Sequence, residues 1–174
     1  KGTILHYDGN IWLAQDSVST KVLHGVSAFD AEHVWAVGDS GTILFYDGTR
    51  WQTQDSGTTK NIYGVAAMAA DEVCAVGDGH AYFYSDAGWK ANEVKHFNGK
   101  GVAGTGVNHL WAVCGNRDVW SYNAGADPWE KHEKVAEKNL NGIAAAAVSD
   151  QSSHLWAVGD DGCIIFSDNG GSSW

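Results

Sequence analysis

The chain reads Val34-Trp35-Ala36-Val37-Gly38-Asp39 near its start and repeats this hexapeptide three more times with small changes. The other copies are Val73-Cys74-Ala75-Val76-Gly77-Asp78, Leu110-Trp111-Ala112-Val113-Cys114-Gly115-Asn116 and Leu155-Trp156-Ala157-Val158-Gly159-Asp160. A tryptophan closes each unit, and these residues are Trp12, Trp51, Trp89, Trp129 and Trp174. They are 38 to 45 positions apart, and about 40 to 45 residues is the length of one four-stranded propeller blade.

Each unit is predicted to form four short β-strands. In the second unit these are residues 23–28, 34–37, 42–46 and 51–54. Asp-Gly, Gly-Asp and Asp-Ser-Gly steps separate them, and such residues suit hairpin turns because they tolerate positive φ. No segment has the apolar spacing typical of a helix. Since one meander cannot bury both of its faces, neighbouring units must stack, and the sequence predicts an all-β fold that is a β-propeller or a segment of one.

The 174 residues are predicted to form a single domain of about four repeats. The units are 1–21 (partial), 22–60, 61–99, 100–138 and 139–174 (partial). In the first of two interpretations, the N-terminal strands complete the last blade and latch a ring. In the second, the chain is an excerpt of a larger propeller. The sequence ends at Trp174, the tryptophan that closes the repeat unit, and this favours the interpretation as an excerpt.

Composition and charge argue against several classes of protein. The formal charge of −10 and the presence of only two Arg, Arg50 and Arg117, argue against a nucleic-acid partner. No apolar run of about 18 residues predicts a membrane span. The sequence begins at Lys1 without a signal-peptide pattern, so we expect that any targeting segment was removed or never included. Three Cys without metal-site spacing (Cys74, Cys114 and Cys163) are interpreted as small buried side chains, with a disulfide or a reactive thiol as the alternative.

The last eight residues, Ser167-Asp168-Asn169-Gly170-Gly171-Ser172-Ser173-Trp174, resemble the Asp-box (S-x-D-x-G-x-T-W) of the BNR repeats in sialidase-like propellers. Asn169 replaces the Asp of this motif, and Ser173 replaces the Thr. The run of residues 155–162 resembles the repeats of photosystem II assembly/stability factor-like propellers and of their exported bacterial relatives. The resemblance implies fold-stabilising hairpin turns and an extracellular or periplasmic location. We assign a structural role in the repeat to Trp35, Trp51, Trp111, Trp156, Gly38, Asp39, Gly159, Asp160, Ser167, Gly171 and Trp174.

No catalytic residue, metal site or cofactor is predicted. Sialidases hold the substrate carboxylate with three Arg, and two Arg cannot build that clamp. The recurring turn residues Asp39, Asp78, Asp160 and Asp161 are interpreted as turn formers, with a ring for a cation or ligand as the alternative. His33, His109 and His154 share one repeat position and are interpreted as turn caps, because equivalent positions of successive blades are too far apart to share one metal.

The third and fourth units differ most from the others. Residues 90–100 and 127–138 carry dense mixed charge where the outer strand or the next connection is expected. Mixed charge is the ordinary protection of an edge strand against aggregation. The functional alternative is a rim that binds a partner or ligand through Trp120, Trp129, Lys131 and Lys134.

Together these observations favour a non-catalytic interaction or scaffold module that binds a protein partner in an exported or envelope assembly. The first alternative is a propeller lectin that binds a glycan, because nine Trp supply stacking platforms. The second is a fragment of a larger propeller hydrolase. The resemblance to assembly factors implies a photosystem subunit as partner, but the diversity of the relatives and the low Arg content argue against carrying that partner over.

Overall fold

The structure is a computed structural model that describes residues 2–106, 108–124, 128–149 and 152–174, and it confirms the prediction of an all-β propeller fold. The strands are β1 (Ile4–Tyr7), β2 (Trp12–Gln15), β3 (Leu23–Ala28), β4 (Val34–Gly38), β5 (Ile43–Tyr46), β6 (Trp51–Gln54), β7 (Ile62–Ala67), β8 (Val73–Ser85), β9 (Gly88–Gly106), β10 (His109–Cys114), β11 (Val119–Tyr122), β12 (Trp129–His132), β13 (Leu140–Ser149), β14 (Ser152–Gly159) and β15 (Ile164–Ser167). Within the described ranges the helical elements are two single 3-10 turns, Asp39–Gly41 and Asp160–Gly162.

The strands pair antiparallel with their neighbours in sequence, as a set of meanders. We name the blades in chain order: blade A (β1, β2), blade B (β3–β6), blade C (β7, β8 and the first half of β9), blade D (the second half of β9, then β10–β12) and blade E (β13–β15). The strands of blade B begin and end within one residue of the predicted positions. Residues 125–127, which belong to the long connection predicted before Trp129, lie outside the described residues.

Blades C and D form one continuous six-stranded sheet because β9 is shared between them. The predicted boundary at residues 99/100 therefore falls inside a strand. The first half of β9 pairs with β8 as far as Asp78 opposite Asn98, and the second half pairs with β10 from Gly99 opposite Cys114. Residues 94–97 between the two paired halves have no partner in either register, and His96 has a positive φ of 63°.

The core lies in the seams between successive blades. Between blades A and B, Ile4 packs against Leu44 and Trp51, and between blades B and C, Trp35 and Ile43 pack against Val73 and Tyr82. Between blades C and D, Cys74 and Val76 pack against Leu110 and Ala112. Between blades D and E, Val113 and Val119 pack against Leu140 and Ala157. Burial of this kind stabilises by roughly 25 cal/mol per Å² of apolar surface.

Equivalent residues of blades B and E show what stacking contributes. Trp35, Val37 and Ile43 of blade B are 1%, 0% and 1% exposed. The same residue types in blade E, which are Trp156, Val158 and Ile164, are 42%, 47% and 70% exposed. Blade C packs on this face of blade B, whereas within the described residues no further sheet packs on blade E.

In the first of the two interpretations the N-terminal strands latch onto the last blade; within the described residues β1–β2 and β13–β15 are separate sheets. Residues 2–9 repeat residues 41–48, so β1 corresponds to β5, the third strand of blade B. Blade E already has its third strand, β15. A further third strand therefore has no place in that sheet.

The Val-Gly-Asp step at the end of the second strand has a steric cause. Gly77 lies against the backbone carbonyl oxygen of Asn61, and a Cβ on Gly77 would collide with it. The same carbonyl accepts the N–H of Asp78 at 3.1 Å. The arrangement recurs at Gly38 against Val22 and at Gly159 against Asn139. Glycine is required here by the close approach of two backbones and not by φ, which is extended at −168° and −158° for Gly38 and Gly159.

In blade D the glycine lies on the first strand of the pair instead of the second. Cys114 stands where the other blades have this glycine, and its partner on the first strand is Gly99. In blades B, C and E the glycine faces Leu23, Ile62 and Leu140 instead. The small residue has moved to the neighbouring strand, so the backbones still approach and the thiol of Cys114 remains buried.

Candidate functional site

Four side chains from successive blades occupy one structural position at the start of the first strand. They are His24, Tyr63, Lys100 and Asn141, and we call them the inner rim. Each is the extra residue of a β-bulge, because the register shifts by one between its two neighbours and the second strand. A bulge re-aims the side chain that it carries, and bulges are frequent beside functional sites. The glycine that follows each of them is part of the repeated sequence.

The inner-rim side chains of blades B, C and D contact one another. Lys100 Nζ lies 3.5 Å from the centre of the Tyr63 ring, a cation–π geometry. The rings of His24 and Tyr63 have centroids 5.2 Å apart. Three blades thus contribute an imidazole, a phenol and an ammonium group to one partly exposed cluster.

The recurring Asp residues form hydrogen bonds with inner-rim side chains of their own blades. Asp39 Oδ1 lies 2.7 Å from His24 Nε2, and Asp160 Oδ1 accepts a hydrogen bond from Asn141 Nδ2 at 2.6 Å. The hydrogen bonds from Asn141 and then from Asn139 hold the pKa of Asp160 below its ordinary value. In blade C the hydroxyl of Tyr63 donates to Asp78 Oδ2 at a longer 3.4 Å.

The turn acids of the cation-ring alternative have partners within the chain. Asp161 pairs with Lys138 at 2.7 Å and has the positive φ of 55° that its turn requires. Among the described residues, no group of three or more His, Cys, Asp or Glu side chains is placed to hold a metal ion. The turn acids Asp39, Asp78 and Asp160 make their side-chain hydrogen bonds within their own blades, and Asp161 forms an ion pair with Lys138 of the preceding unit.

The four residues predicted for a partner-binding rim have structural contacts. Trp120 and Trp129 are 6% and 8% exposed and pack against Phe97. Lys131 Nζ lies 3.1 Å from Asp118 Oδ2, and the backbone N–H of Lys134 donates to Asp118 Oδ1 at 2.8 Å. Asp118 is 3% exposed, so this hairpin is fastened by a buried carboxylate. That these four residues bind a partner stays a prediction.

A groove of about 710 Å³ lies between the outer strands of blades C and D, and Trp120 and Trp129 line it. In the two preceding seams the closing Trp donates its Nε1–H to a Gln of the blade before, Trp51 to Gln15 at 2.8 Å and Trp89 to Gln54 at 2.6 Å. Asn92 stands at that Gln position for Trp129. Trp129 Nε1 is buried without a hydrogen-bond partner in the described part of the chain.

The three His of one repeat position have different surroundings. His33 belongs to its turn, since its backbone N–H and its Nδ1 both lie 2.8 Å from Asp30 Oδ1. His154 packs its ring at 5.5 Å from Phe166. His109 is exposed and lines a polar pocket between blades D and E.

All three Cys are free thiols. Burial raises the pKa of Cys114 to about 12 and also raises the pKa of Cys74. These two thiols therefore stay protonated near neutral pH and act as small core side chains, as the first interpretation of the sequence expected. Cys163 is only partly buried.

The turn that resembles an Asp-box fastens blade E to blade D. Ser167 Oγ accepts the N–H of Gly171 at 2.8 Å, which closes the turn. The carbonyl of Gly170 then accepts the indole N–H of Trp111 at 3.0 Å. In this way a Trp of the repeated hexapeptide reaches the hairpin of the next blade.

Comparison with known proteins supports the fold and leaves the function open. No protein-family model matches the chain, and no curated protein matches it. The chain is similar to the solved structure of YCF48 bound to D1 peptide, with a TM-score of 0.65 and 19% identity, over 95% of this chain and 56% of that one. It is also similar to the WD40 β-propeller domain of Doa1, with a TM-score of 0.72 and 14% identity, over 95% of this chain and 57% of that one. The chain spans just over half the length of each, and the shared feature is the β-propeller fold.

The inner rim was missed by reasoning from sequence. The available signal was a variable residue inside a repeated frame, in Leu23-His24-Gly25, Ile62-Tyr63-Gly64 and Leu140-Asn141-Gly142. A position that varies while both of its neighbours are repeated is not constrained by the packing that keeps the repeat constant.

Among the described residues no helix has the length and apolar character to cross a bilayer.

Proposed function

We propose that this chain is a non-catalytic propeller module that binds a protein partner through the inner rim. The observation that carries the proposal is the alignment of His24, Tyr63, Lys100 and Asn141, one from each of four successive blades, all at bulges. Stacked repeats build extended binding surfaces in this way, since each repeat adds one contact at a regular spacing.

The chemistry of the inner rim suits a peptide. Tyr63 and His24 offer flat rings with polar edges, and Tyr is enriched at the centres of protein interfaces. Lys100 and Asn141 offer donors for backbone carbonyls or for a carboxylate of the partner. An extended segment that crosses successive blades would meet an aromatic, a cationic and an amide group in turn.

The similar fold of YCF48, whose structure is of a complex with D1 peptide, supports binding of a peptide by a propeller of this kind. One Ser–His pair bears on the non-catalytic part of the proposal. Ser121 Oγ and His132 Nε2 are 2.9 Å apart, but the hydrogen bonds of the described residues include no carboxylate partner for His132. A serine nucleophile needs a base that a third group orients.

Selection of peptides from a displayed random library on the whole 174-residue chain tests the proposal. We expect the selected peptides to lose affinity by about tenfold or more on the Tyr63→Ala variant, which is the size of loss that defines an interface hot spot. Lys100→Ala should weaken them as well. The matched control is Lys90→Ala, which removes an exposed lysine from the outer strand of blade C.

Two results would refute different parts of this proposal. Failure to select any peptide would remove protein binding as the function, and binding to a glycan array by the same chain would then establish the lectin alternative. Selected peptides that bind Tyr63→Ala and Lys100→Ala as tightly as the parent chain would remove the inner rim as the site. The exported or envelope setting remains part of the proposal and rests on the resemblance of residues 155–162 to exported relatives.

A further inference from the structure

A second polar site lies in the seam between blades D and E, at the opposite end of the sheets from the inner rim. It is a pocket of about 350 Å³, within the usual range for ligand sites. Thr105 at the end of β9 and His109 at the start of β10 mark its position. The inner rim is at the other end of these strands, where Gly99 faces Cys114.

The pocket exists because blade D departs from the repeat at one cross-strand position. In blades B and E the Trp of the second strand faces a Phe of the third, Trp35 opposite Phe45 and Trp156 opposite Phe166, with ring centroids 5.0 and 5.1 Å apart. In blade D the residue opposite Trp111 is Ser121. The space that a phenyl ring takes in those blades is left open beside Trp111.

The next strand departs from the repeat at the same place. Phe45 of blade B faces Gln52 on its outer strand, whereas Ser121 faces Glu130. Glu130 is exposed, lines the pocket and forms no ion pair with the described residues. An apolar contact has thus been replaced by a cavity with a free carboxylate at its edge.

The other polar groups of the pocket have fixed positions. Ser121 is 9% exposed and its Oγ is hydrogen-bonded to His132 Nε2 at 2.9 Å. Thr105 Oγ1 and Ser153 Oγ lie 3.5 Å apart on the opposite wall. Trp111 is held by its hydrogen bond to Gly170. These groups are held by the two blades before any ligand arrives, which lowers the ordering cost of binding.

From this geometry we propose that the pocket binds an organic cation, a guanidinium or a primary ammonium group. Among its described lining residues there is one carboxylate, Glu130, and no Lys or Arg. The hydroxyl oxygens of Ser121, Ser153 and Thr105 can accept the remaining N–H groups, and the ring of Trp111 in the wall suits a cation. The formal charge of −10 on the chain also attracts a cation. This site is separate from the inner rim and does not depend on the function proposed for it.

The test is titration of the whole chain with small probes, followed by NMR of the Trp111 indole N–H. Nα-acetylarginine N-methylamide represents a side chain of a partner, and methylguanidine represents a free small cation. We expect both to shift the Trp111 signal, and tighter binding of the first would identify a peptide as the source of the group. Nα-acetylglutamate N-methylamide and glucose are the anionic and neutral probes, and neither should bind.

Three variants complete the test. Glu130→Gln should weaken binding of the arginine probe about fivefold, the upper range for a partly exposed ion pair. Glu137→Gln, an exposed carboxylate away from the pocket, should leave it unchanged. Ser121→Phe restores the residue type of the repeat and should abolish binding of the arginine probe. Ser121→Ala removes the hydroxyl but leaves the pocket open, so comparing the two variants shows whether binding is lost because the phenyl ring fills the pocket.

The inference is overturned if the arginine probe does not shift Trp111, or if the glutamate probe or glucose binds as tightly. It is also overturned if Glu130→Gln binds the arginine probe as well as the parent chain does. None of these results bears on the peptides selected for the inner rim, so failure here and failure of the proposed function are told apart.

Discussion

Gly77→Ala is predicted to destabilise the fold far more than the addition of one methyl group suggests. The new Cβ would overlap the carbonyl oxygen of Asn61, so β8 at Gly77 or the chain at the start of β7 must move. That movement breaks the 3.1 Å hydrogen bond from the Asp78 N–H to the same carbonyl, a loss of about 1 kcal/mol. Overpacking in a closed core costs about 1 to 3 kcal/mol more. The reduced freedom of the unfolded chain returns about 0.5 kcal/mol, which leaves a net loss of about 1.5 to 3.5 kcal/mol.

Urea unfolding followed by tryptophan fluorescence measures this loss, and the midpoint should fall while the slope m stays constant. The control is Gly106→Ala in β9, where a Cβ would meet nothing within 4 Å, and its stability should remain within about 0.5 kcal/mol of the parent. Gly38→Ala repeats the experiment in blade B, where the carbonyl belongs to Val22. Equal stabilities of the Gly77→Ala and Gly106→Ala variants would show that backbone approach does not explain the repeated glycine.

Three further predictions concern other features of the fold. Asn92→Gln should raise stability by about 0.5 to 1 kcal/mol, because the longer amide supplies an acceptor for the buried Trp129 Nε1, as in the two preceding seams; an unchanged urea midpoint would contradict this. Asp118→Ala should cost about 2 kcal/mol, because it removes the buried carboxylate that fastens the β11–β12 hairpin, and a midpoint equal to the parent's would refute that role. A thiol reagent at pH 8 should modify Cys163 and leave Cys114 intact until the chain unfolds, and modification of two or more thiols in the folded protein would contradict the burial argument. Since the folded pKa of Cys114 is raised from 9.0 to about 12, the stability from its burial is complete below pH 9 and is lost as pH rises towards 12.

The fold could be predicted because its information is local and repeated. Each strand of blade B is marked by a β-rich run between Asp and Gly turns, and four similar units of about 40 residues indicate a propeller architecture. The shared strand β9 could not be predicted, because residues 88–106 carry the charges typical of an edge followed by a connection. Their pairing with both β8 and β10 depends on where those two strands lie in space.

The candidate sites were predicted less well than the fold. Trp120 and Trp129 were singled out as candidates for a binding rim, yet the structure buries both against Phe97. A departure from the repeat does mark a site at Ser121, but its meaning depends on which residue faces it across the strand and which blade covers it. Sequence comparison between units finds the departure and cannot show the cavity.

The sequence by itself determined the repeat, the four-stranded unit and the turn chemistry. These properties follow from interactions within about 40 residues, which the order of the amino acids specifies directly. Only the tertiary structure decided that His24, Tyr63, Lys100 and Asn141 meet at one rim and that Ser121 opens a pocket towards blade E. The physical reason is that both sites are made where successive blades stack, so their geometry depends on backbone register and on contacts between residues some 40 positions apart.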